Sequence, residues 1–304
     1  MLILLPTPIG NLFDISLRGL EILLNAQIVL CEDTRVAKKL YTLLESKNLF
    51  AKITSAPPTN ILENKKFLPF HSHNQQDFIA TLSPAFFDSN VIYISDAGMP
   101  CICDPGAKLV EFCIQNAIPY EVLPGSSALN VCFASSGIES NAFYFGGFLP
   151  HKQSQRQEIF YQLAHYNVPC IFYESPHRLI QSLQDIEKCL PKAYLCVCKE
   201  ISKMYEERFF GVAREILTQL DSKKICGEWV FCIYNAKSDA QHLTFSNAGN
   251  LSANDILKLD IAPKIKAKLL SKLTNKPIKQ CYEDLINTTP KAKEDSQLTH
   301  KATQ

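Results

Sequence analysis

No apolar run in these 304 residues approaches the ~20 residues needed to cross a bilayer, so no transmembrane segment is expected. Charge of one sign is also missing: 31 Lys+Arg stand against 30 Asp+Glu. A chain holding nucleic acid by bulk charge alone would be more basic, so any basic patch has to be local. The start, Met1-Leu2-Ile3-Leu4-Leu5-Pro6, is too soon broken by proline to read as a secretory signal. The twelve cysteines lack zinc spacing: Cys101-x-Cys103 and Cys196-x-Cys198 are each separated by one residue, with no matching C-x₂₋₄-C pair. The expectation is a cytoplasmic protein whose reduced thiols act as small hydrophobes, with no metal. Four catalytic signatures are absent as well: the G-x-x-x-x-G-K-[ST] phosphate loop, G-x-G-x-x-G after the first strand, the G-x-S-x-G elbow and H-E-x-x-H.

Short β-rich apolar runs alternate with helical patterns. Strands are expected at Leu2–Leu5, Ile28–Cys31, Val91–Ser95, Tyr120–Leu123, Ala142–Phe145, Pro169–Glu174, Tyr194–Lys199 and Glu228–Tyr234. Helices are expected at Ser16–Asn25, Thr34–Leu44, Ala107–Asn116, Ser126–Ser135, Ser154–His165, Pro176–Leu190 and Ala213–Leu220. Most strand runs are unbroken rather than alternating, as in strands covered on both faces. The pattern reads as α/β, with two α/β domains of largely parallel sheet, 1–123 and 124–236. Residues 45–69, with Pro57-Pro58 and Pro69, read as a long surface loop. Residues 250–290 read as a small helical domain and 291–304 as a disordered tail. Within 258–279, seven lysines face one acid, Asp260, a local charge of +6. One helix is expected from Pro263 and another from Pro277, both favoured first positions.

The turns after the strands hold the uncommon residues. They are Pro6-Thr7-Pro8-Ile9-Gly10-Asn11-Leu12, Glu32-Asp33-Thr34-Arg35, Ser95-Asp96-Ala97-Gly98-Met99-Pro100 with Asp104-Pro105-Gly106, Pro124-Gly125-Ser126-Ser127, and Glu174-Ser175-Pro176-His177-Arg178. Ligands in parallel sheets sit outside the carboxyl ends of strands, so these five turns are expected to face one crevice. Any one of them alone reads as an ordinary turn, with Asp33 or Ser126 as a helix cap.

All of these strings but Pro124-Gly125-Ser126-Ser127, together with Gly147-Phe148-Leu149-Pro150 and Phe172-Tyr173, resemble the ribosomal RNA small-subunit methyltransferase I family, a branch of the tetrapyrrole methylases. The resemblance spans about residues 1–236. It implies S-adenosylmethionine as methyl donor, bound in a cleft between the two α/β domains, and a homodimer. It implies methylation of a cytidine ribose 2′-hydroxyl in small-subunit (16S) ribosomal RNA, with the assembled small subunit as substrate. It marks Pro8, Ser95, Asp96, Ala97, Gly98, Ser126 and Tyr173 as cofactor contacts. Met99, Cys101, Cys103 and Lys199 depart from common family residues.

A ribose hydroxyl is a weak nucleophile, so an acceptor for its proton is expected. Asp33, Glu174 and Glu200 are the catalytic candidates, with helix caps or ion pairs to Arg35, Arg178 or Lys199 as the alternative for each. RNA contacts are expected from Arg18, Arg35, His71, His73, Lys152 and Arg178, and from Lys264, Lys266 and Lys268 in the lysine-rich segment. Arg156 stands equally as surface charge, and Phe148 and Tyr173 as stacking or core residues. Two other functions remain open: a methylase of a small tetrapyrrole, and an RNA-binding module without catalysis.

Overall fold

The computed structural model describes residues 1–56, 60–220, 224–235, 253–258, 261–274 and 276–288. They fall into two compact units, within 1–238 and 239–304.

The first half of the larger unit is a five-stranded sheet, all parallel, built from β1 (Leu2–Leu4), β2 (Ile28–Cys31), β3 (Lys66–Pro69), β4 (Val91–Ile94) and β5 (Tyr120–Val122) in the order β3-β2-β4-β1-β5. Its helices are α1 (Leu17–Asn25), α2 (Thr34–Ser46), α3 (Gln75–Thr81) and α4 (Gly106–Gln115). Each of the first two is capped by a short polar side chain. Ser16 Oγ accepts from the Gly19 N–H at 2.9 Å, and Asp33 Oδ1 from the Arg35 N–H at 2.8 Å. Every residue of β4 is buried, because apolar clusters cover both faces of the sheet.

Segment 45–69, expected to be a loop, instead contains the end of α2, a 3₁₀ turn at Leu49–Lys52 and the edge strand β3. Proline is tolerated in β3 because an edge strand has one unpaired side. Residues 57–59 lie outside the described residues.

After α5 (Ala128–Ser135), a second sheet comprises β6 (Tyr144–Phe148), β7 (Cys170–Glu174), β8 (Tyr194–Lys199), β9 (Glu207–Val212) and β10 (Trp229–Tyr234), in the order β6-β7-β10-β8-β9. Only β6 and β7 run parallel; the other pairs are antiparallel. The expected largely parallel architecture therefore holds for the first sheet and fails for the second. Strands buried on both faces read as apolar runs whichever way their neighbours point. Helices α6 (Gln153–Leu163), α7 (Leu179–Cys189) and α8 (Ala213–Leu220) pack over one face, and α5 contacts the other. Ile9, from the turn after β1, joins the cluster under α5 with Leu129, Ile171 and Val230. One side chain of the first half is thus buried in the core of the second, worth about 1.5–3 kcal/mol.

The described part of the smaller unit is three helices, α9 (Ala253–Lys258), α10 (Pro263–Thr274) and α11 (Ile278–Thr288). They close over Ile256, Ala267, Leu270 and Cys281. Both expected helix starts, at Pro263 and next to Pro277, hold. Residues 291–304 lie outside the described residues. No helix of the described residues is long and apolar enough to cross a membrane.

Candidate functional site

The strand-end turns of the first sheet lock onto one another. Thr7 and Gly98 exchange backbone hydrogen bonds at 3.0 and 3.1 Å. The Gly98 N–H also reaches Thr7 Oγ1 at 3.1 Å, and Ser95 Oγ donates to the Gly98 carbonyl at 3.1 Å. Gly98 has φ +84°, and a Cβ there would lie 3.1 Å from Ile9 Cγ2, so this turn needs glycine. The ends of β2 and β4 are laced in the same way. Glu32 Oε1 accepts from the Asp96 N–H and Asp96 Oδ1 from the Asp33 N–H, each at 3.2 Å.

A cavity of about 500 Å³ opens against these turns. One wall comes from the first half, with Glu32, Ser95–Met99, Ile102, Cys103 and Asp104. The other comes from the second, with Ser127, Phe148, Tyr173–Pro176 and Gly227–Val230. A neighbouring cavity of about 230 Å³ lies under Thr7–Gly10 and α2 and shares Ile9, Ser95, Asp96, Ala97 and Glu228 with the first.

The first wall is acidic. Burial pushes the Asp96 carboxyl up, and the nearby Asp33 charge adds to this against the pull of the Asp33 N–H. Burial also raises Glu32, with the charges of Asp96 and Asp104 acting the same way. Asp104 accepts from the Tyr93 hydroxyl at 2.7 Å and the Gly106 N–H at 2.9 Å. Carboxylates crowded together with raised pKa values form a place where a cation lowers the energy. Burial pushes the Tyr173 hydroxyl up to about 12, and its ring meets Phe145 and Phe148 edge-on.

Of the expected cofactor contacts, Ser95, Asp96, Ala97, Gly98 and Tyr173 line the larger cavity, and Pro8 lines the smaller. Ser126 lines neither; its neighbour Ser127 does. The three catalytic candidates are engaged in holding turns. Asp33 is gripped by Arg35 through side chain and backbone, which holds its carboxyl down at about 2. Glu174 Oε1 takes the Ser175 N–H at 2.8 Å and Arg178 at 2.6 Å, and Oε2 takes the Ser182 hydroxyl at 2.6 Å. It still forms part of the cavity wall. Glu200 accepts from the Glu228 N–H at 2.8 Å and Lys203 at 2.9 Å. Burial raises its carboxyl, but these partners and Lys199 outweigh that and hold it low.

Within the larger unit, the expected RNA contacts do not converge. Arg18 pairs with Glu121 at 2.9 Å, Arg35 with Asp33, and Arg178 points inward to Glu174 and the Leu149 carbonyl. Arg156 is a buried partner of Asp185, not surface charge. The His71 and His73 rings stand 5.9 Å apart, away from the cavity lining, and Lys152 is exposed at the start of α6. Lys264 and Lys268 are exposed on α10, while Lys266 Nζ donates to the Leu257 carbonyl at 2.8 Å. The Cys196 and Cys198 thiols meet Cys132 of α5, all three sulfurs within 4.8 Å and buried in the apolar cluster under that helix.

Sequence reasoning did not pick out Glu32, Asp104, Glu228 and Trp229, which line the larger cavity. The first two stood within the strings already singled out. Trp229 begins a strand and Glu228 directly precedes it, and the antiparallel course of β10 brings that strand start to the cavity.

Comparison with known proteins gives a consistent placement. Residues 1–217 match the model of the Tetrapyrrole (Corrin/Porphyrin) Methylases. The chain is 41% identical over 288 residues to a "Ribosomal RNA small subunit methyltransferase I" of Helicobacter pylori strain J99, covering 93% of this chain and 96% of that one. It is 40% identical over 287 residues to the protein of the same name from Campylobacter fetus, covering 94% and 100%. The fold resembles the crystal structures of a diphthine synthase (TM-score 0.56, 12% identity, 78% and 90% covered) and of the methyltransferase CobJ (TM-score 0.52, 12% identity, 77% and 94% covered). An interlocked set of strand-end turns over an acidic cavity, on a chain so closely related along its length, belongs to the ribosomal RNA small subunit methyltransferase I family of the tetrapyrrole methylases.

Proposed function

We propose that the protein methylates the ribose 2′-hydroxyl of a cytidine in small-subunit ribosomal RNA, with S-adenosylmethionine as donor. The acidic wall of the larger cavity carries this reading. A sulfonium donor is cationic, and raised carboxyls at Asp96 and Glu32 suit a cationic guest. When bound, the donor would supply a methyl group on positive sulfur: the ribose oxygen would take the methyl as the carbon–sulfur bond breaks, the sulfur would leave as the neutral thioether of S-adenosylhomocysteine, and the hydroxyl proton would pass to a carboxylate.

In this reading the Ser95–Gly98 turn and Ser127 present backbone and hydroxyl groups to the donor, and Tyr173 and Phe148 form its apolar wall. Asp33, Glu174 and Glu200 act by holding their turns. Asp96 and Glu32, whose carboxyls are pushed up and so are the better bases, accept the hydrogen bond of the incoming hydroxyl. The acceptor nucleotide enters from the side of the smaller cavity, past Pro8. Residues 1–123 and 124–236 work as two domains around the cleft, and 250–290 as a third that grips RNA through Lys264 and Lys268. The protein works in the cytoplasm, as a homodimer, on assembled small subunits.

The test is transfer of labelled methyl from S-adenosylmethionine to purified unmethylated small subunits, followed by mapping of the nucleotide. Label on a cytidine ribose supports the reading; label on a base, or none, overturns it. A methylase of a small tetrapyrrole would label a porphyrinoid instead. An RNA-binding module would give no heat with the donor in calorimetry.

A further inference from the structure

Phe148 stands in the cavity wall at the end of a bulge. Phe145 pairs with Ile171 and Phe148 with Tyr173, so three steps along β6 oppose two along β7. The extra residue sits at Gly146-Gly147, with Gly147 at φ +66°. Phe148 is 58% exposed, its ring centre 5.5 Å from that of Tyr173.

The three carbonyls that follow are all taken by guanidinium groups. Arg178 Nη1 donates to Leu149 O at 2.9 Å. Arg156 Nη1 donates to His151 O at 2.8 Å and Pro150 O at 3.3 Å. Each arginine is itself anchored. Arg156 donates through Nη2 and Nε to Asp185 Oδ2 at 2.7 and 3.0 Å, with side-chain exposures of 3% and 2%. Gln153 and Gln157 fill Asp185 Oδ1, both at 2.8 Å. Arg178 meets the wholly buried Glu174 carboxylate at 2.6 Å.

A buried ion pair is a weak source of net stability, because desolvating both charges cancels most of their attraction. What it supplies is fixed geometry. Two such pairs converge on three consecutive carbonyls of one short segment, next to an exposed aromatic ring on a cavity wall. We propose that Arg156, Asp185 and Arg178 are positioning residues that clamp segment 149–151 and thereby set Phe148 against the donor. This rests on the methyltransferase reading. Arg156 and Asp185 do not line the cavity, so donor affinity then depends on side chains that the donor never touches.

The test combines Arg156→Lys and Phe148→Leu, singly and together. Lysine keeps the charge but cannot reach the carboxylate and two carbonyls at once. In calorimetry with S-adenosylmethionine, Arg156→Lys is expected to weaken binding by about fivefold or more, and by less than about twofold in the Phe148→Leu background. Unchanged affinity in Arg156→Lys, or equal losses in both backgrounds, overturns the proposal; a merely structural role lowers the thermal midpoint without that coupling. Native hydrogen exchange gives a second readout. The amides of 147–149 and 151–152 exchange faster in Arg156→Lys, while those of β10 do not; an unaltered loop overturns the clamp. Should Arg156→Lys fail to fold, Gln157→Leu removes one bond to Asp185 and is read by the same criteria. If the parent protein gives no heat with the donor, the methyltransferase reading fails, and the clamp is still decided by exchange.

Discussion

At the proposed donor site, Asp96 is the residue on which most observations converge. Asp96 combines a raised carboxyl, a backbone bond to the β2 turn and a place in the walls of both cavities. Asp96→Ala is expected to weaken S-adenosylmethionine about tenfold, within the usual worth of a partly buried charge contact; calorimetry checks this, and unchanged affinity removes the residue from the donor site. The pH dependence has a definite sign. A raised carboxyl takes up its proton at a higher pH than an ordinary one, so affinity for the cationic donor falls on acidification before ordinary carboxylates titrate. For the ligand-free protein the linkage runs the other way: raised values favour the folded state at low pH, and that contribution is lost as pH rises through them. An affinity that stays flat down to pH ~4, the normal carboxylate range, counts against Asp96 and Glu32 as the cation's partners. At this scale the sequence was legible where residues are uncommon and local. Asp96, Gly98 and Tyr173 stood in recognisable strings. Arg156 did not, because its partner Asp185 is 29 residues away and no local pattern signals the pairing.

Elements explain where the turns stay. The bulge in β6 uses two glycines for different reasons. A Cβ on Gly146 would lie 2.2 Å from Phe172 Cε1, whereas a Cβ on Gly147 meets nothing within 4 Å but must tolerate φ +66°. Gly146→Ala is therefore expected to cost more than Gly147→Ala, about 2–3 against about 1 kcal/mol; urea denaturation ranks them, and the reverse order refutes this account. The elements read best were those with caps and long apolar runs: α1, α2, β2, β4, β8 and β10. Strand β3 was lost because it is short, edge-bound and ends in Pro69. Strand β9 was lost because its apolar residues, Phe209, Phe210 and Val212, are few, broken by Gly211 and preceded by the charged Glu206-Glu207-Arg208. The antiparallel order of the second sheet was hidden because burial on both faces erases the alternation that marks antiparallel strands.

Over the whole molecule, charge is close to balanced but unevenly spread. Lys264, Lys268 and Lys272 recur every four residues on α10, and all three are exposed. Reversing them to Glu is expected to weaken small-subunit binding and lower the log–log salt slope by about 0.7–0.9 per lost phosphate contact; filter binding across a salt series checks it, and an unchanged slope excludes this face. Lys266 is omitted because its ammonium is spent on a helix-end carbonyl within the unit.

All twelve cysteines are free, and eight are buried; Cys103 and Cys226 are exposed, and Cys103 lines the larger cavity. The molecule thus carries its own footprinting reagents. Cys103 and Cys226 are the exposed thiols, but burial and the charges of Asp104 and Glu32 raise the Cys103 thiol, so its alkylation is expected to be slow and to need alkaline pH. A guest in the cleft is expected to slow that alkylation further, and because Gly227, next to Cys226, lines the same cavity, the Cys103 signal is normalised to alkylation of the unfolded protein, so mass spectrometry reports occupancy without any introduced label.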